Sequence, residues 1–329
     1  MENRTILIMM ATYNGEKYIA KQLDTIINQT YTNWELIIRD DISTDNTLSI
    51  IKDYAKKDSR IKYILSDSQK HGAYYNFFGL INYVKKIKKY DFYMFADQDD
   101  EWDKMKIEEY LKFYDSKVNT DIPIVIYGNM RIIDGSGEVI SQNMDELTGI
   151  SYTNVITSFF AHKVYGCTVL FNFELLKSLP VIENNDLVLG YLSHDNFVTK
   201  WAGIFGKVYF LSLTTIGYRR YNENVTSKHS YDYGFKRIFR RVSKINELAK
   251  DHALTYSQSL ATIKIMKREN LSMEQTKVLN NIEKVILNGG IYGLRSVNKF
   301  EVDWGNKVKN ISRKLILTSG IYIKYLVKI

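Results

Sequence analysis

Asp97, Asp99 and Asp100 place three carboxylates within four residues, directly after the apolar run Phe92-Tyr93-Met94-Phe95, and Glu101 and Trp102 follow at once. A short apolar, aromatic run reads as a buried strand, so the acidic group sits where a strand ends and the chain turns. Like charges crowded there favour a cation. Asp97 and Asp99 are two apart, which on extended backbone aims both to one side, and a turning chain also converges alternate carboxylates on one ion. Oxygen-only ligands suit Mg2+ or Mn2+ better than zinc or copper. Such an ion, held by one or two carboxylates with open positions, carries the phosphates of a nucleotide and stabilises a departing diphosphate. The pattern therefore points to group transfer from a nucleotide. A plain loop is the competing reading, with Asp100 or Asp103 capping a helix that starts near Lys104. The strand before the cluster and Trp102 after it favour a partly buried turn, where unpaired carboxylates are costly.

The elements that must position these groups follow from periodicity. Strands are expected at 5–10, 34–39, 61–65 and 92–96. Tyr18, Gln22, Leu23, Ile26 and Ile27 form a stripe that predicts a helix over 16–29. Asp45 or Thr44 can cap a helix containing Leu48, Ile51 and Ala55, and a third helix covers 73–89, ending in Lys85-Lys86-Ile87-Lys88-Lys89 where positive charge suits the dipole. This alternation is that of a mostly parallel sheet flanked by helices. Ligands then bind at the carboxyl ends of the strands, which brings together Ala11-Thr12-Tyr13-Asn14-Gly15, Asp40-Asp41-Ile42-Ser43-Thr44-Asp45-Asn46-Thr47 and the Asp97-Gln98-Asp99 turn.

Further on, 124–133 reads as strand, Asp134-Gly135-Ser136-Gly137 as a tight turn, and 166–171 and 207–218 as strands. Helical patterns dominate from about 233, with Phe235, Ile238 and Phe239 opposite Lys236, Arg237, Arg240 and Arg241. The boundary is placed near 230, giving a first domain over 1–230 and a basic helical region over 231–329. Cys167 lies in an apolar stretch with no basic neighbour in sequence and reads as a buried small residue. The histidines at 71, 162, 229 and 252 lack metal-ligand spacing and are assigned no role.

Composition narrows the class. With 329 residues, 45% hydrophobic and 13% aromatic, the chain can bury a large core. One cysteine excludes an internal disulfide and fits a reducing cytoplasm. The start Met1-Glu2-Asn3-Arg4 does not read as a signal peptide, and no segment approaches the roughly 20 apolar residues of a membrane-spanning helix. The net charge of +8 is uneven: residues 232–329 hold 19 Lys and Arg against 8 Asp and Glu. Such a surface suits an anionic membrane or nucleic acid, or is simply a solvated helical face.

The four polar segments, counting Ser193-His194-Asp195, together resemble the inverting family 2 glycosyltransferases of the GT-A fold, over about residues 1–225. The resemblance implies an α/β, Rossmann-like mixed sheet flanked by helices, here followed by a C-terminal helical region. Phe95-Ala96-Asp97-Gln98-Asp99-Asp100-Glu101-Trp102 is similar to the bacterial branch that includes rhamnosyltransferases of capsule, O-antigen and cell-wall polysaccharide assembly. Carried over by position, Thr12, Tyr13 and Asn14 border the base pocket and Asp41, with Asp40, binds pyrimidine or ribose. Asp97 lies near ribose or metal, and Asp97 and Asp99 hold Mn2+ or Mg2+. Asp195 is the general base that inverting transfer needs. His194 either tunes it, binds acceptor or is structural, and Trp102 stands near the diphosphate or acceptor. Arg219 or Arg220 pairs with diphosphate or is a solvated pair. Relatives often read Arg-x-His here, whereas this chain has Tyr221 in the His position. The implied reaction moves a sugar from a UDP- or dTDP-sugar, dTDP-rhamnose among them, to a hydroxyl of a growing lipid-linked glycan at the cytoplasmic membrane face, with no nucleic acid partner. A nicotinamide dehydrogenase would show G-x-G-x-x-G after the first strand, which Ala11-Thr12-Tyr13-Asn14-Gly15-Glu16 lacks. A non-enzymatic basic membrane- or nucleic-acid-binding protein would explain the tail and leave the acidic segments without purpose.

Overall fold

The computed structural model describes residues 3–118, 121–145, 154–161, 164–183, 190, 192–220 and 245–327. Strands β1 (Ile6–Thr12), β2 (Trp34–Asp40), β3 (Ile61–Leu65) and β4 (Phe92–Ala96) alternate with helices α1 (Ile19–Ile27), α2 (Thr47–Lys57) and α3 (Ala73–Val84). Then come β5 (Glu101–Trp102), α4 (Lys106–Lys117), β6 (Ile124–Ile133), β7 (Val139–Ser141), β8 (Val169–Asn172), α5 (Phe173–Ser178), α6 (His194–Phe205) and β9 (Lys207–Arg219). Four helices follow: α7 (Ile245–Met266), α8 (Met273–Asn288), α9 (Gly290–Lys299) and α10 (Lys307–Ser319).

The strands form one mixed sheet in the order β3-β2-β1-β4-β8-β6-β9-β5, with β7 on β6. β1 pairs in parallel with β2 and β4, while β8 enters antiparallel between β4 and β6. The period of two along β1 sets two cores: Leu7 and Met9 face one, Ile6, Ile8 and Met10 the other. Because both faces are covered, β1 and β4 are apolar almost throughout. The second core takes Ile19, Leu23 and Ile26 of α1, Ile51 of α2 and Ile107 of α4. The first takes Phe77 and Ile81 of α3 and, in the same cluster, Ala253, Tyr256, Ile282, Val297 and Leu317 from the four last helices. The predicted boundary near 230 and the Phe235, Ile238, Phe239 stripe fall outside the described residues. Among the described residues, no helix is long and apolar enough to cross a membrane.

Three expected elements shift. The helix predicted over 16–29 starts at Ile19, because Gly15 to Tyr18 form a turn in which the Tyr18 and Ile19 amides donate to the Gly15 carbonyl. The helix predicted over 73–89 ends at Val84, where Lys85 becomes the cap and its ammonium donates to the Leu176 and Leu179 carbonyls. Residues 166–168 form a 3-10 turn before β8 rather than strand. Gly166 packs so closely on His194 that an added Cβ would lie 2.5 Å from its Nε2.

Candidate active site

The loops after β1, β2 and β4 meet at the carboxyl edge of the sheet because Thr12 pairs with Asp40 in register and Met10 with Ala96. The β1 and β2 loops are knitted by side chains. Asp40 is fully buried and accepts from the Thr12 hydroxyl at 2.8 Å and from the Ser43 amide and hydroxyl at 2.8 and 2.6 Å. Asn14 accepts from the Thr44 amide at 2.9 Å, and its own amide donates to Ser43 Oγ at 3.0 Å. Asp45 accepts from Thr47 and from the Glu16 amide. Thus Asp40, Ser43, Asp45 and Thr47 organise the turn. Ile42, at the centre of the loop, is β-branched yet holds φ at +61°, a conformation that strains such residues and clusters at functional sites.

Asp41 is also buried, with a different environment. Its amide donates to the Thr12 carbonyl at 2.8 Å, and its carboxylate accepts from the Gly72 amide at 2.8 Å and lies 3.1 Å from His71 Nδ1. His71 is more than half exposed. Sequence reasoning assigned it no role, since nothing local links it to a residue thirty positions earlier. Tyr13 is exposed, and its backbone amide and carbonyl are both bonded to the Gln98 side-chain amide, at 2.8 and 3.0 Å. Gln98, the unassigned middle residue of the D-x-D turn, therefore clamps the β1 loop to the β4 loop.

The turn itself is held from β9. The buried Arg219 donates from its amide to Asp100 Oδ1 at 3.0 Å, from Nε to the Asp99 carbonyl and from Nη1 to the Asp134 carbonyl, both at 2.8 Å, and pairs with Glu101. Arg219 thus acts as a brace for the acidic turn, and Arg220, half-buried, donates its amide to the Ile133 carbonyl. Trp102 is buried in β5, pairs with Ile216 and carries the Lys106 ammonium 3.9 Å above its ring.

Asp97 and Asp99 are half-buried and Asp100 fully buried. Burial, then the charges of Asp99 and Asp195, push Asp97 up to about 7. Burial and the charges of Asp99 and Asp97 drive Asp100 upward too. Cys167 joins them: among the described residues, Asp97, Asp100 and Cys167 bring ligand-type atoms within 4.8 Å of one another. Cys167 is buried, as read from sequence, and the fold adds Lys106 from 61 positions away, which donates to the Cys167 carbonyl and is itself lowered to about 8 by burial. An acidic group whose members repel one another in a poorly solvated place is a fit for a cation. The oxygen donors that meet are those of Asp97 and Asp100, with Asp99 acting on both through its charge, and a pair of carboxylates suits a hard divalent ion.

Asp195 occupies the first turn of α6 and is buried. Its carboxylate accepts from the Gly166 amide at 3.1 Å, the Asn196 amide at 2.7 Å and the Ser193 hydroxyl. It acts electrostatically on Asp97, on Tyr74 of α3 and on Lys200 of α6, so the segment distant in sequence does meet the D-x-D turn. Tyr74 also bonds to Gln258 of α7. His194 is packed in the wall: its ring stacks on Phe77 at 3.7 Å and meets Phe95 edge-on at 4.6 Å.

A family model described as glycosyl transferase family 2 matches residues 7–179. The chain is 31% identical over 239 residues to the Shigella flexneri dTDP-rhamnosyl transferase RfbG, covering 70% of this chain and 78% of the relative. It is 28% identical over 235 residues to the Escherichia coli UDP-Glc:alpha-D-GlcNAc-diphosphoundecaprenol beta-1,3-glucosyltransferase WfgD, covering 68% and 83%. In fold it is similar to S. aureus TarS 1-349, with a TM-score of 0.55 at 18% identity over 98% of this chain and 81% of that one. TarS 1-349 in complex with UDP-GlcNAc gives 0.53 at 17% identity, over 99% and 93%.

Proposed function

The chain belongs to glycosyl transferase family 2, and from that premise we propose that it transfers a sugar, with inversion and with a divalent ion, from a UDP- or dTDP-linked donor to a lipid-linked glycan hydroxyl. dTDP-rhamnose is the donor of choice, and the setting is assembly of a bacterial surface polysaccharide, capsule or O-antigen, at the cytoplasmic membrane face. Two relatives support this: RfbG is a dTDP-rhamnosyl transferase, and the name of WfgD states a diphosphoundecaprenol-linked acceptor.

One observation carries the reading. The Asp195 carboxylate accepts from the amide of Gly166, the chain neighbour of Cys167, whose ligand atom lies within 4.8 Å of those of Asp97 and Asp100, so the acidic turn and the candidate base line one place. In this scheme Thr12, Tyr13 and Asn14 border the nucleotide, and Asp41, backed by His71, receives donors of the base or ribose. Asp40 keeps the loop in shape. Asp97 and Asp99 hold Mn2+ or Mg2+, which when bound offsets the charge of the departing diphosphate. Arg219 keeps the turn in place and Arg220 reaches the diphosphate. Asp195, oriented by the Gly166 and Asn196 amides, accepts the proton of the acceptor hydroxyl as that oxygen bonds to the anomeric carbon. His194 and Trp102 support the wall and the turn.

The test is a donor screen that measures released nucleoside diphosphate with Mn2+ and with chelator, on wild type and Asp195→Asn. Loss of a general base removes about 10²–10⁴-fold in rate. Unchanged release with chelator would refute the ion's part, and wild-type turnover in Asp195→Asn would refute the assignment of the base.

A further inference from the structure

Helix α10 turns apolar residues outward. Val308, Ile311 and Leu315, three and four positions apart, lie on one face and are 40%, 53% and 65% exposed, while Ile316 and Leu317 fill the core. An ordinary surface helix shows solvent a polar face. Helix α9 packs against α10 and exposes Ile291 at 66%. Lys307 and Lys314 of α10 flank that face, and neither α9 nor α10 carries an acidic residue. Lys314 donates to the neutral Asn298 at 2.6 Å, not to a carboxylate.

We infer that this outward face of α9 and α10 docks on an anionic phospholipid surface. Apolar side chains enter the boundary between headgroups and acyl chains, and the surrounding cations meet lipid phosphates, the two contributions that bind an interfacial helix. The face is preformed. Asn306 caps α10 at its start and Gly320 ends it in the left-handed conformation. Trp304, just before, donates its indole N–H to the Phe160 carbonyl at 2.9 Å. A second copy of this chain is the weaker occupant, because a self-complementary contact would bring two basic rims together. The inference concerns where the protein sits and is independent of which sugar it moves.

The full chain is floated with vesicles of phosphatidylglycerol and phosphatidylcholine, and with phosphatidylcholine alone, at low and high salt. Binding to the anionic vesicles, weakened by salt, is expected, together with a drop of at least about tenfold in partitioning for Ile311→Ser with Leu315→Ser. The folded state of that variant is checked by circular dichroism, and diphosphate release with a soluble acceptor should match wild type. Absence of wild-type binding, or equal binding by the folded variant, overturns the proposal. So does a wild-type dimer in sedimentation that the same substitutions dissociate, which would make the face an interface between copies. Failure of docking with transfer intact leaves the enzymatic reading standing, and the reverse holds as well.

Discussion

Replacing Lys200 with methionine should raise stability at neutral pH and remove a pH dependence. Lys200 lies on α6 five residues after Asp195 and is fully buried, and among the described residues its ammonium has no hydrogen-bond partner. Burial lowers it from 10.5 to about 7, against the opposing pull of Asp195. Since the native value is depressed, between about pH 7 and 10.5 the unfolded chain binds a proton that the native chain does not, so stability rises with pH across that window. Each pKa unit corresponds to about 1.36 kcal/mol, so the buried cation costs on the order of 4 kcal/mol at pH 7. The wild type should gain about 2 kcal/mol between pH 7 and 9 from this residue alone. Both figures are upper values, because water that reaches the amine lessens the cost. Urea unfolding at pH 7, 8 and 9, followed by tryptophan fluorescence, gives the slope directly. Lys200→Met should be flatter by that amount and more stable at pH 7. Parallel slopes in the two proteins would refute the reasoning. Turnover should fall in the same variant, since Lys200 is a cation acting on the candidate base.

Arg219→Met removes the brace from the acidic turn and should cost about 3–5 kcal/mol in unfolding free energy, with a raised KM for the donor in whatever enzyme remains folded. His71→Ala frees the Asp41 carboxylate from its neighbour and should weaken binding of UDP or dTDP by about fivefold to tenfold, near 1 kcal/mol, measured by titration calorimetry, with little change in melting temperature. Tyr74→Phe removes a hydroxyl that feels the charge of Asp195 and should lower kcat more than it raises KM. Equal values for wild type and Tyr74→Phe would make that contact packing only.

What the sequence made legible was local. The apolar runs of β1 and β4, the stripe of α1 and the Asp134 turn before β7 are signals carried by neighbours in the chain, and they appear where expected. The acidic turn was legible for the same reason, as charge directly after an apolar run. Gln98 bonding to Tyr13, Arg219 reaching Asp99 and Asp134, and His71 beside Asp41 join residues that are 30 or more positions apart. No period or propensity reports such contacts. Cys167 and Lys106 illustrate the same limit: each is unremarkable in its own segment, and only the closure of β8 and α4 around the turn brings them together. The early end of α3 had no local signal either: there the Lys85 ammonium turns to the carbonyls of Leu176 and Leu179, 91 and 94 positions away.

The sharing of one core between the sheet and the last four helices bears on how the enzyme comes into being. Tyr74 leans on Gln258, and Phe77 belongs to the same cluster as Ala253, Tyr256 and Leu317. A nascent polypeptide that has emerged from the ribosome only as far as β9 carries every acidic residue of the site while lacking the backing that sets one of its walls. Competence therefore arrives late in translation, and prematurely terminated products would hold a donor loop without a finished acceptor side. For engineering, the same dependence means that tails cannot be exchanged between relatives as detachable cassettes. Each chimaera would need its α3 surface and its closing helices recombined as one block.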